Sequence, residues 1–241
     1  MEFIKAKNYE DMSRMAADIM AAEVLKKPEC VLGLATGSTP LGMYRELVQR
    51  CQAGTVSFKG VTTVNLDEYR GLSRDNKQSY YYFMHHNFFE QVDIDPARTN
   101  VPDGMAENMG EECERYDRLI EGVGGIDLQL LGIGRNGHIG FNEPSDCYMK
   151  GTHVVKLEGS TAEANKRFFG PGESVPSQAY TMGIGTIMSA EKILLLASGK
   201  DKAWAVKQLI YGDVTPRVPC TILQFHRDVT VVADEEACWF L

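Results

Sequence analysis

This chain has no excess of basic residues: 25 Lys and Arg stand against 33 Asp and Glu, a net charge of −8. That balance excludes a nucleic-acid backbone as the main partner, which calls for a basic face. It leaves room for a small anion, because a few local cations and backbone N–H groups bind one inside an acidic protein. No apolar run approaches the ~20 residues of a membrane span. The start, MEFIKAKNYEDM, has no apolar h-region, so no secretory leader is expected and the protein reads as cytoplasmic. The six cysteines, at positions 30, 51, 113, 147, 220 and 238, form no C-x-x-C pair. A disulfide framework or zinc knuckle is therefore not expected, and buried free thiols are. No H-E-x-x-H, complete Walker motif or G-x-S-x-G is present, and no metal site is expected. The 23 glycines and 9 prolines are too few for a collagen-like or disordered chain. No Ser/Gly linker, charge block or internal repeat divides the 241 residues, which predicts one domain over 1–241.

What is present is alternation of strand and helix. Asn8 is placed to cap a helix whose apolar residues recur at Met12, Met15, Ala16, Ile19 and Met20. Cys30–Ala35 is a short apolar run without alternation, expected to be the first strand and buried on both faces. The helix after it carries Pro40 in its first turn. Strands are predicted at 61–66, 126–133, 153–157, 179–183, 192–197, 221–225 and 228–232, and helices at 78–91, 107–121 and about 200–211. This order predicts an α/β fold with a mostly parallel sheet.

In such sheets ligands collect outside the carboxyl ends of the strands. Four segments fall there: 36–40, 66–69, 134–145 and 198–202. The first, Thr36-Gly37-Ser38-Thr39-Pro40, offers a tight turn, two hydroxyls and the N–H groups of a helix start, a phosphate cradle or an ordinary strand-to-helix turn. The second places Asp67 and Glu68 at a strand end. A partly desolvated carboxylate there can act as a general base, although a helix cap is the commoner role. The third runs from Gly132 to Pro144 and contains a literal G-x-G-x-x-G, with Glu158 further on. A dinucleotide fingerprint needs a helix opening within those glycines, and Gly140, Asn142 and Pro144 forbid one. A glycine-rich loop instead brings Asn136, His138 and Glu143 close to a ligand. Histidine exchanges protons near neutral pH, and Glu143 can hold its ring. The fourth is Ser198-Gly199-Lys200-Asp201-Lys202. Its lysines, or Arg167 in the 165–169 stretch, can meet a phosphate, while a solvated helix end is the usual role of such cations. The adjacent His85 and His86 face different ways on a helix and make no metal pair. The aromatic run Tyr80–Phe89 reads as core.

The segments LGLATGSTP (32–40), VTTVNLDEY (61–69), LGIGRNGHIGFNEP (131–144), ANKRFF (164–169) and SGKDKA (198–203), in this order, resemble the glucosamine-6-phosphate deaminases of the glucosamine/galactosamine-6-phosphate isomerase family. The resemblance covers essentially the whole chain. It implies a Rossmann-like three-layer α/β/α sandwich and conversion of glucosamine 6-phosphate and water to fructose 6-phosphate and ammonium, without metal or organic cofactor. It implies that Asp67 moves the proton between C2 and C1, that His138 opens the sugar ring, and that Glu143 orients it. Asn136 falls where other members carry Asp or Asn, a difference expected to alter the pH profile. Gly37, Ser38, Thr39, Arg167 and Lys202 are implied as phosphate ligands. The basic residues with which regulated members bind an N-acetylglucosamine 6-phosphate effector fall on His153 and Val155, so no such activation is expected. Two related classes fit less well. A 6-phosphogluconolactonase continues its Gly-x-His loop differently from Phe141-Asn142-Glu143-Pro144. A sugar-phosphate-sensing regulator carries a DNA-binding segment ahead of the domain.

Overall fold

The computed structural model describes residues 1–157 and 176–241. Its centre is a seven-stranded, wholly parallel sheet. The strands are β1 (Glu2–Ala6), β2 (Val31–Leu34), β3 (Thr62–Asn65), β5 (Thr99–Asn100), β6 (Leu128–Gly132), β9 (Lys192–Ala197) and β10 (Val229–Asp234). Their order is β1-β10-β9-β6-β2-β3-β5. The four central strands β2, β6, β9 and β10 are buried almost throughout, which is why their sequences are apolar runs without alternation. A second, antiparallel sheet joins β4 (Asp67–Tyr69), β8 (Gln178–Thr181) and β7 (His153–Lys156) in the order β4-β8-β7.

The helices are α1 (Tyr9–Lys26), α2 (Leu41–Gln52), α3 (Tyr80–Asn87), α4 (Met109–Gly122), α5 (Ile184–Met188) and α6 (Ala203–Tyr211). Asn8 caps α1 as expected, its side chain accepting from the Asp11 N–H at 2.9 Å. α1 packs on α2 and β10, burying Met12, Ala16 and Met20. Pro40 sits one position earlier than expected, at the N-cap of α2, which has no side-chain cap.

Three expectations are corrected. The first strand lies at Glu2–Ala6, ahead of the run near residue 30. It is an edge strand, half exposed and, among the described residues, paired to β10 alone, so nothing forces an apolar sequence on it. Residues Pro219–Phe225 form a 3₁₀ helix packed on α6, not a strand; Pro219 opens it and has no N–H to give a ladder. All six cysteines are free, but only Cys30, Cys220 and Cys238 are buried, and Cys147 is exposed.

The strand order reverses between β2 and β6. Their ladder has only two pairs, Leu32 with Leu128 and Gly33 with Gln129, whereas β6 stays paired with β9 through Gly132. The two strands part at their carboxyl ends. The 36–40 and 133–144 loops leave from the two lips of this crevice, the place where open α/β sheets take ligands.

Candidate active site

Asp67 enters the crevice because the chain changes sheets there. β3 ends at Asn65, Leu66 bridges to Leu34 and Met182 through its backbone, and Asp67 opposite Thr181 begins β4. Successive strand residues face opposite ways. Glu68 therefore turns to the start of α3, where its carboxylate accepts the N–H groups of Tyr69, Tyr80 and Tyr81 at 2.7, 2.9 and 2.8 Å. Asp67 turns to the 133–144 loop. At Gly140, with φ of +57°, a Cβ would lie 3.7 Å from Asp67 Oδ2 and 3.0 Å from Thr181 Oγ1. The absent side chain leaves the space in front of the carboxyl open. Burial, helped by the neighbouring Glu68 charge, pushes Asp67 up to about 8. Burial also raises Glu68, to about 7, against the pull of its three N–H donors. The pair thus divides: Glu68 caps the start of α3 and Asp67 is the desolvated acid.

His138, Asn136 and Glu143 form one chain of hydrogen bonds. Asn136 Oδ1 accepts the backbone N–H of His138 at 3.1 Å and lies 2.8 Å from its Nδ1. Asn136 Nδ2 donates to Glu143 Oε2 at 2.7 Å. A backbone N–H can only donate and an ionised carboxylate can only accept, so the amide orientation is set from both ends. His138 Nδ1 must then carry the proton, and Nε2 presents the lone pair. Glu143 Oε1 is 3.4 Å from Nδ1, so the carboxylate holds the ring both through Asn136 and as a direct ionic neighbour when the ring is protonated. No helix opens within the loop.

The other two loops meet the same crevice. Gly37, at φ of +100°, turns the chain into Ser38 and Thr39, and Tyr44 Oη bonds the Ala35 carbonyl at 2.6 Å beneath them. Arg135 bridges to Asp201 at 2.7 Å, joining the histidine loop to the 198–202 turn. Lys202 lies within that turn, its side chain mostly buried. Arg167 and the ANKRFF segment lie outside the described residues. Among the described residues no group of three or more His, Cys, Asp and Glu could hold a metal ion, and no helix is long and apolar enough to cross a membrane.

The sequence model of one protein family, described as glucosamine-6-phosphate isomerases/6-phosphogluconolactonase, matches residues 5–232. The chain belongs to this family. Within the glucosamine-6-phosphate isomerase/6-phosphogluconolactonase family, a glucosamine-6-phosphate deaminase of Thermoanaerobacter sp. (strain X514) is 54% identical over 237 residues, 98% of this chain and 94% of that one. The solved structure of a monomeric glucosamine-6-phosphate deaminase matches with a TM-score of 0.97 at 48% identity, over 100% of both chains. A 6-phosphogluconolactonase from Trypanosoma cruzi, at 18% identity and a TM-score of 0.80 over 100% of this chain and 96% of that one, shares the fold alone.

Tyr80, expected to be core, packs against the cluster of Tyr69, Phe141 and Ala179. Its ring lies 4.7 Å from Tyr69 and stacks 6.0 Å from Phe141, and its hydroxyl meets Tyr69 Oη at 3.4 Å and the Thr36 side chain. It spans from the first loop toward Asp67, and burial holds its pKa well above the usual tyrosine value. Tyr9, another residue of this family member that the motifs did not single out, bonds both ends of the 38–42 turn. Its Oη donates to the Ser38 carbonyl at 2.9 Å and accepts the Gly42 N–H at 2.8 Å. Neither tyrosine carries a local signal, since each acts through a partner remote in sequence.

Proposed function

We propose that this chain converts glucosamine 6-phosphate and water to fructose 6-phosphate and ammonium, as one cytoplasmic catalytic domain. The observation that carries the reading is the placing of a buried acid, Asp67, against the same loop that holds His138 in a defined tautomer. The open-chain form alone places the C2–H beside a carbonyl. His138, with its Nε2 lone pair facing outward from the relay, exchanges a proton with the ring oxygen to open the hemiacetal. Asp67, in its ionised form, takes the proton from C2 and returns it to C1. The nitrogen on C2 becomes an iminium, water adds there, and ammonia leaves. Acid–base help of this kind contributes about 10²–10⁴ in rate. An ionisation near 8 keeps Asp67 basic enough to take a carbon-bound proton.

Asn136 and Glu143 orient the imidazole, and Glu143 supplies negative charge beside it as it becomes cationic. Gly37, Ser38, Thr39 and Lys202 hold the phosphate, with Arg167 in the same role. The phosphate serves as a remote handle whose binding energy positions C1 and C2.

The test is ammonium release by the purified chain. Turnover is expected with glucosamine 6-phosphate, to survive EDTA, and to fall at least ~10²-fold in kcat/KM when the phosphate is missing. Equal rates on glucosamine, metal-dependent turnover, or hydrolysis of 6-phosphogluconolactone in place of deamination would overturn it.

A further inference from the structure

Asp234 closes β10 and faces no substrate group assigned above, yet it is buried and its carboxylate is fully engaged. Parallel pairing of Ala197 with Ala233 brings the next residues, Ser198 and Asp234, side by side at the carboxyl edge of the sheet. Ser198 Oγ donates to Asp234 Oδ2 at 2.5 Å, and the Gly199 N–H reaches both carboxylate oxygens at 3.1 Å. Gly199 stands at φ of +92°, a conformation that a side chain disfavours. Its carbonyl in turn accepts the Lys202 N–H at 3.0 Å and closes the 3₁₀ turn 200–202. The Gly199 residue is thus held on one side by Asp234 and on the other by Lys202.

The same carboxylate accepts the Ala237 N–H at 2.8 Å and so fixes the turn that carries Trp239. Lys200 Nζ lies 3.8 Å from the centre of the Trp239 ring. A cation over an indole face is held there. Of the two lysines in the turn, Lys200 is the one held on the aromatic shelf, while Lys202 Nζ lies 3.9 Å from Asp201 Oδ2.

We infer that Asp234 is a positioning residue for phosphate binding: through Ser198 and Gly199 it sets the turn from which Lys202 meets the substrate phosphate. The inference rests on the reading of Lys202 as a phosphate ligand given above. An ionised carboxylate suits this task because it accepts several donors at once, and bonds to a charged acceptor are the stronger kind.

The experiment is steady-state kinetics of the full chain with glucosamine 6-phosphate, with inorganic phosphate as competing anion. The variants are Asp234→Asn, Ser198→Ala, Lys202→Ala and the double Asp234→Asn/Lys202→Ala. Asp234→Asn is expected to raise KM and the phosphate inhibition constant together by about tenfold, the factor belonging to one hydrogen bond to a charged group, with kcat within about threefold. On the Lys202→Ala background the same change should add less than about twofold, since residues acting through one partner are not additive. A fall in kcat with KM unmoved, or penalties that multiply in the double variant, would show a merely structural role and sink the inference. Should Asp234→Asn fail to fold, Ser198→Ala decides: a rise in KM of about threefold is expected for loss of one of the bonds, and no rise overturns the inference. An unmoved KM in Lys202→Ala removes the phosphate assignment and this inference with it. A raised KM there beside an unmoved one in Asp234→Asn removes this inference alone.

Discussion

Asn136 holds His138 by two contacts on one side, to its backbone N–H and its Nδ1, and passes the Glu143 carboxylate on the other. The imidazole therefore feels a neutral partner at 2.8 Å and a charged one at 3.4 Å. Asn136→Asp moves a charge to the nearer position. A carboxylate in contact favours the charged ring, so the pH dependence of kcat/KM should differ between variant and parent. Initial rates of both across pH are the measurement. Superimposable profiles would mean that Glu143 already supplies all the charge the ring senses.

Asp67→Asn should abolish turnover, by at least ~10²-fold, while ligand binding persists. The amide is nearly isosteric and cannot accept the C2 proton. Hydrogen–deuterium exchange at C1 of fructose 6-phosphate reads the proton transfer itself. Exchange at the parental rate would assign the base elsewhere.

The same substitution has a signature in stability. The folded chain releases the Asp67 proton near 8, the unfolded chain near the ordinary 3.8. Between these values the native state holds a proton that the unfolded state has lost. That contribution to stability is fully present below the unfolded value and disappears as pH rises through the folded one. Asparagine never ionises. The melting temperature of Asp67→Asn relative to the parent should therefore climb between pH 5 and pH 9, by a few degrees for each ~1 kcal/mol of relieved strain on the buried charge. A difference that stays flat across this range would place the Asp67 ionisation outside it.

His138→Gln should slow turnover of the cyclic substrate more than it slows C1 exchange in the open-chain ketose, because only the cyclic form needs the ring opened. Equal losses in both assays would falsify that division of labour.

Glu68→Gln should destabilise without touching a substrate group. Three backbone N–H groups point at the carboxylate. The amide NH₂ must oppose at least one of them, leaving a buried donor unpaired at a cost of ~1–3 kcal/mol. A melting temperature lower by several degrees is expected, and an unchanged one would show that the start of α3 does not depend on this cap.

Initial rates against glucosamine 6-phosphate should be hyperbolic, with or without N-acetylglucosamine 6-phosphate. Val155, at one of the positions that resemblance assigns to a basic effector ligand, has no charge to offer and pairs with Ala179 in the second sheet. Asp146, close by in sequence, is already paired with Arg217. An effector must bind two states differently to shift between them. A sigmoidal curve made hyperbolic by the effector would show that other residues have built such a site.

Much of this protein is local, and local features are legible in a sequence. Strands buried on both faces are apolar runs, so β2, β6 and β9 stand out, and Asn8 before a period of 3.6 announces α1. The glycines at 134, 137 and 140 mark the loop that brings Asn136, His138 and Glu143 close to a ligand, and Asp67 shows as a carboxylate at the end of an apolar strand. Tertiary structure decided what depends on partners remote along the chain. β1 is a strand because β10 offers it an edge, and 219–225 coils because it has α6 to pack on and a proline to start it. Which of the adjacent carboxylates is desolvated acid and which is cap followed from the chain changing sheets at Leu66, which sent Asp67 to Gly140 and Glu68 to α3. The turns around Ser38 and Lys202 are shaped by Tyr9 and Asp234, distant residues whose single hydrogen-bonding groups leave no periodicity to read. A sequence records the burial and turning of each segment, whereas the orientation of a polar side chain belongs to the neighbours it finds only after folding.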